Sequence, residues 1–125
     1  MVKLSMNNMK GNEMTTQITI KSSALFLLDS PEDKMCEDLS GQYTDDQILD
    51  TWTTLFKNST NRKFGKGTVY TFTITSQLEK DVLGAVVSSA LGYQVFQNMF
   101  NEFDKSTAME TYLEKIEKEI WNINI

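Results

Sequence analysis

Thr68-Val69-Tyr70-Thr71-Phe72-Thr73-Ile74-Thr75 runs directly into Ser76-Gln77-Leu78-Glu79, and this junction decides the fold. The first eight residues alternate as a half-buried strand does, with Tyr70, Phe72 and Ile74 on one face and Val69, Thr71, Thr73 and Thr75 on the other. The next four form a capping box, in which a serine hydroxyl and a glutamate three positions later satisfy the free amides of a helix start. An apolar helix is therefore expected over 77–103, carrying Leu78, Val82, Leu83, Val86, Val87, Leu91, Val95, Phe96, Met99, Phe100 and Phe103. Unbroken, it would be about 40 Å long at 1.5 Å per residue, more than a domain of this size is wide. Either it bends near Gly92, or its end projects to meet another chain.

Working back from the strand, Asn58 to Gly67 reads as a polar loop, with room for one hairpin arm around Arg62 to Phe64. Before it, Thr44 and Gln47 make a second capping box, and Ile48, Leu49, Trp52, Leu55 and Phe56 fall on one helical face. Asp29-Ser30-Pro31-Glu32-Asp33 marks a shorter helix, with Pro31 at its first position, acids toward its dipole, and Gly41 beyond its end. Gln17-Ile18-Thr19-Ile20-Lys21 alternates as a strand. Ala24-Leu25-Phe26-Leu27-Leu28 is apolar on both faces and fits a buried strand end or a core helix equally well. Toward the C-terminus, Thr107 and Glu110 predict a capping box for a helix whose inner stripe is Met109, Tyr112, Leu113, Ile116 and Ile120. Trp121 to Ile125 alternates as an edge strand would, or frays.

These elements predict an α+β fold, a small antiparallel sheet of two or three strands covered by three to four helices. Residues 1–13 read as a disordered tail. Lys10-Gly11-Asn12-Glu13-Met14 back-translates to a ribosome-binding sequence before a start codon, so Met14 is the expected natural start. Residues 14–125 are then a single domain, as 125 residues allow.

Hydrophobic residues make up 40% of the chain and charged residues 23%, which is ordinary globular usage. No apolar run approaches the roughly 20 residues that span a bilayer, no signal-peptide pattern opens the chain, and one cysteine gives no intrachain disulfide. A cytoplasmic protein is expected. Lysine outnumbers arginine eleven to one, which with abundant Asn, Ile and Thr suits an AT-rich bacterial or phage genome. The net charge of −5 is segmented: +2 over residues 1–28, −7 over 29–50, +4 over 51–78 and −4 over 79–125.

The chain contains no histidine, which removes the commonest general base and metal ligand. Cys36 stands beside Glu37 and Asp38, whose charge disfavours a thiolate. Gly65-Lys66-Gly67-Thr68 lacks the upstream glycine, the residue order and the following helix of a phosphate loop. The acids of 29–50 lack calcium-loop spacing. Neither an enzyme nor a bound cofactor or metal is expected.

What remains are surfaces. Lys57, Arg62, Lys63 and Lys66 form an acid-free island suited to phosphate or to an acidic partner. Gly84, Ser88 and Gly92 line one helix face, where they either pack within the chain or form an oligomer seam. Tyr70, Phe72, Ser89 and Tyr93 are candidates for the rim of a ligand site. Phe96, Met99, Phe100 and Phe103 make an apolar stripe that is either core or interface. The leading expectation is a non-enzymatic interaction protein, an accessory protein of a phage or mobile element that binds and modulates a host protein. The alternative is a homo-oligomeric module that binds or sequesters a nucleotide-like, phosphorylated small molecule; direct nucleic-acid binding ranks below both, because an acidic chain repels the backbone.

Overall fold

A computed structural model describes residues 16–101 and 105–125. The tail expected over 1–13, the start expected at Met14, and Phe103 lie outside the described residues. In order come β1 (Thr16–Lys21), α1 (Ser22–Leu25), α2 (Pro31–Asp38), α3 (Asp45–Asn58), β2 (Thr60–Phe64), β3 (Gly67–Ile74), α4 (Gln77–Phe100) and α5 (Thr107–Trp121). The sheet order is β1-β3-β2 and both pairings are antiparallel. This is the expected α+β architecture.

The register follows from burial. Ile18 faces Phe72 and Ile20 faces Tyr70, so the apolar members of both strands share the inner face. Phe72, Ile74 and Ile20 are fully buried there, each contributing about 1.5–3 kcal/mol. On the outer face, the hydroxyls of Thr19 and Thr71 are 2.9 Å apart, and Gln17, Thr19 and Thr73 are exposed. Val69 is the exception, buried on that outer side beside Phe64 and Lys21. The hairpin from β2 to β3 turns through Gly65-Lys66, and Gly65 has φ +61°, a conformation that glycine adopts without a side-chain penalty. The apolar stretch from Ala24 opens as the one-turn helix α1 and continues through Leu27 as a turn.

α4 is the central helix and packs against all four other helices. Between Val82 and Ala90 it buries Val82, Leu83, Ala85, Val86, Val87 and Ala90, and this stretch carries no charge. The helix is uninterrupted across Gly92 and ends at Phe100, three residues short of the expected boundary, where Asn101 turns extended. Its 24 residues span about 36 Å.

The caps show how local chemistry fixes the boundaries. Thr44 and Gln47 form a reciprocal box, with Gln47 N donating to Thr44 Oγ1 at 3.1 Å and Thr44 N to Gln47 Oε1 at 2.9 Å. Ser76 Oγ accepts from Glu79 N at 3.2 Å. The Glu79 carboxylate reaches one residue further back than a standard box, accepting from Thr75 N at 2.7 Å and Thr75 Oγ1 at 2.9 Å. α5 is capped by Ser106, whose Oγ accepts from Met109 N at 3.1 Å, so Thr107 is the first helical residue and not the cap. Beyond α5, Ile123 is buried without joining a strand, and Lys80 Nζ holds the segment by donating to the carbonyls of Trp121 (3.3 Å) and Ile123 (3.0 Å).

Candidate protein-interaction site

Past Gly92 the exposure of α4 changes sharply. Tyr93 is 40% exposed, Phe96 57%, Met99 68% and Phe100 68%. Spacings of three and four put Tyr93, Phe96 and Phe100 on one helix face, and the rings of Phe96 and Phe100 meet at 4.9 Å. These side chains form an apolar ledge in solvent. The expected stripe is therefore surface, not core, over its described members.

The opposite face of the same turns is tied down. Asn98 Nδ2 donates to Glu110 Oε1 (2.7 Å) and to the Ser106 carbonyl (3.3 Å), while its Oδ1 accepts from Ser106 N (2.8 Å) and Gln94 Nε2 (2.8 Å). Gln94 is itself buried. One amide thus clamps the end of α4 to the cap of α5 and holds the ledge on a rigid element. Asn98 was not a candidate on sequence grounds, because a polar residue inside a helix carries no local signal of its partners.

Beside the ledge, α2 and α4 enclose a groove of about 440 Å³ whose lining includes Leu28, Lys34, Asp38, Ser89, Gly92 and Phe96. Ser89 Oγ donates to Asp38 Oδ2 at 3.1 Å, fixing one wall to the other. Gly92 forms open floor, since a Cβ placed there meets no atom within 4 Å. Ser89 and Tyr93, both ligand-rim candidates, line this groove together.

The expected glycine and serine ladder divides between two roles. At Gly84 a Cβ would lie 3.3 Å from Trp121 and 3.6 Å from Ile120, so this glycine lets α5 approach. Ser88 Oγ donates to Glu117 Oε2 of α5 at 2.5 Å. Gly84 therefore serves packing within the chain, Ser88 is tied to α5 and also lines the groove, and Gly92 forms open floor there.

The other ligand-binding candidates are not brought together. Phe72 is fully buried and cannot rim a site. The Tyr70 ring packs among Phe56 (5.6 Å), Phe26 (5.9 Å) and Phe72 (6.4 Å) on the inner side of the sheet. Arg62 pairs with Val69 on the outer side, its guanidinium 5.5 Å from the Phe64 ring. Lys63 follows on β2, Lys66 lies in the turn, and Lys57 lies in the last turn of α3. A hollow of about 200 Å³ near that end of the sheet is lined by Lys21, Ser22, Ser23, Phe64, Gly67, Thr68 and Val69, and by none of the four basic candidates.

The Cys36 thiol is pushed above its ordinary value by burial and then by Asp45, Asp33 and Glu32. The acids that act on it stand in the first turn of α2 and at the start of α3, not at the adjacent Glu37 and Asp38. Among the described residues, no three His, Cys, Asp or Glu side chains converge as a metal site would require, and no helix is long and apolar enough to cross a membrane. No protein-family model, curated protein or solved structure matches this chain.

Proposed function

We propose that this chain is a non-enzymatic interaction protein that binds and modulates another protein through the ledge at the end of α4. The observation that carries the reading is the exposure of Tyr93, Phe96, Met99 and Phe100 on a helix end that Asn98 holds rigid. At about 200 Å² per aromatic side chain, the three rings alone present about 300 Å² of apolar surface. Contiguous patches of that size on a small protein commonly mark interaction sites. A preformed ledge also binds at a reduced ordering cost, and clustered aromatics are the side chains that most often dominate binding energy. The composition suits an accessory protein of a phage or mobile element, whose partner would be a host protein.

The test is a Phe96→Ser/Phe100→Ser double variant. Both side chains are exposed, so its thermal midpoint stays within a few degrees of the parent. Affinity capture from the native host should recover a protein that the double variant loses and a Lys57→Ala/Lys66→Ala control keeps. That protein, purified, should bind the parent chain stoichiometrically in calorimetry. Equal recovery by parent and ledge variant would overturn the reading.

A further inference from the structure

From the charges around the ledge we infer that its occupant is a basic amphipathic helix of the partner protein, seated along α4 with its cationic flank against α2. This rests on the ledge being the interface and adds the chemistry of what it accepts.

Ser89, Tyr93, Phe96 and Phe100 are spaced by four, three and four residues, the interval at which one helix offers a seam to another. They span 12 residues of α4, about 17 Å from first to last, which three turns of a second helix cover. Beyond Asp81, α4 supplies no charge of its own, since no Asp, Glu, Lys or Arg occurs from Val82 to Asn101. The charge comes from the adjoining wall. Lys34 and Asp38 line the groove, and Asp33 and Glu37 precede them by one residue each on the exposed side of α2. Three carboxylates thus stand against one ammonium, and that ammonium is already 3.4 Å from Glu37. A helix whose apolar stripe covers the rings therefore brings its flank beside a net negative wall. Lysine or arginine there is favoured, and glutamate or aspartate is repelled.

Area argues against a second copy of this chain as the occupant. With Met99 included, the ledge presents about 450 Å², so two ledges face to face would bury about 900 Å², below the roughly 1,200 Å² at which stable interfaces begin. A partner helix that also enters the groove and meets α2 covers more.

The experiment titrates three synthetic helical peptides of about 14 residues into the full, isotope-labelled chain. They share leucines at i, i+3, i+4 and i+7 and differ only in carrying Lys, Glu or Gln on the flanks. The Lys-flanked peptide should bind about tenfold more tightly than the Glu-flanked one at low salt, and it should shift amide resonances of α4 beyond Ser88 and of α2. The preference should shrink at about 0.5 M salt and vanish or reverse in Asp33→Lys/Glu37→Lys. Equal binding of all three, lost in Phe96→Ser/Phe100→Ser, overturns the charge assignment and leaves the ledge as an interface. Binding mapped elsewhere, tighter binding of the Glu-flanked peptide, or no binding also overturns it. So does a peptide-free dimer in light scattering that the ledge variant dissociates. Whether the ledge is an interface at all is decided separately, by whether the ledge variant still captures the partner.

Discussion

At the scale of single residues, two glycines of one helix face opposite consequences. Gly84 lies under Trp121 and Ile120, whereas Gly92 faces open space and has an ordinary helical backbone. Gly92→Ala should therefore stabilise the chain by about 0.5–1 kcal/mol, because alanine loses less backbone freedom on entering a helix. Gly84→Leu should cost about 1–3 kcal/mol through overpacking against α5. Urea denaturation of the two variants checks both signs. Their spacing was legible in the sequence but their difference was not, because the atoms that cover Gly84 come from a helix nearly forty residues downstream. The same limit applies to Phe96 and Phe100, whose stripe reads first as core and only then as interface until the start of α5 is known. Phe72 shows the converse, since its place on the inner face follows from alternation alone, and that place excludes it from a ligand rim.

Among the elements, the most legible boundaries were those written in adjacent residues. The boxes at Thr44 and Ser76 needed only four residues each to be recognised. The structure starts α5 one position before the expected cap at Thr107 allows, because Ser106 and Thr107 are both capable caps, and the choice falls to Asn98, which holds the Ser106 backbone from α4. That long-range clamp has a measurable weight. Asn98→Ala removes the amide that joins Gln94, Ser106 and Glu110, and should destabilise the chain by about 1–3 kcal/mol through the polar groups left without it. Hydrogen exchange should quicken at the last turn of α4 and the first turn of α5, with the sheet amides slowed as before. Uniform acceleration across the chain would show instead that the clamp is inseparable from global stability. The short apolar run at Ala24 could not be assigned from periodicity, since five residues do not separate a buried strand from a helical turn.

Across the whole molecule, three groups tie distant elements together and titrate in the same direction. Cys36 on α2 is raised by burial and neighbouring acids. Tyr43, ahead of α3, is raised by donating to Asp81 Oδ2 of α4 at 2.7 Å, then by burial. Tyr112 of α5 is raised by burial, partly offset by the Lys21 amide that donates to its hydroxyl at 2.9 Å. A group whose value is higher folded than unfolded contributes stability below its unfolded pKa and loses it as pH rises through the folded one. The thermal midpoint should accordingly fall from about pH 9 upward, and Tyr43→Phe should flatten part of that decline while lowering the midpoint at neutral pH; an unchanged alkaline limb in Tyr43→Phe would remove Tyr43 from the account. The segmented charge was legible at this scale, but not where its blocks would sit. The basic block lies chiefly on β2 and its turn, and the sheet order leaves β2 on the outside with every residue exposed. An outer strand offers its unused amides and carbonyls to any passing chain, and cationic side chains are a common defence against that. Arg62 and Lys63 are then gatekeepers against aggregation, and a chain with both neutralised would risk assembling sheet to sheet at concentrations where the native one stays dispersed.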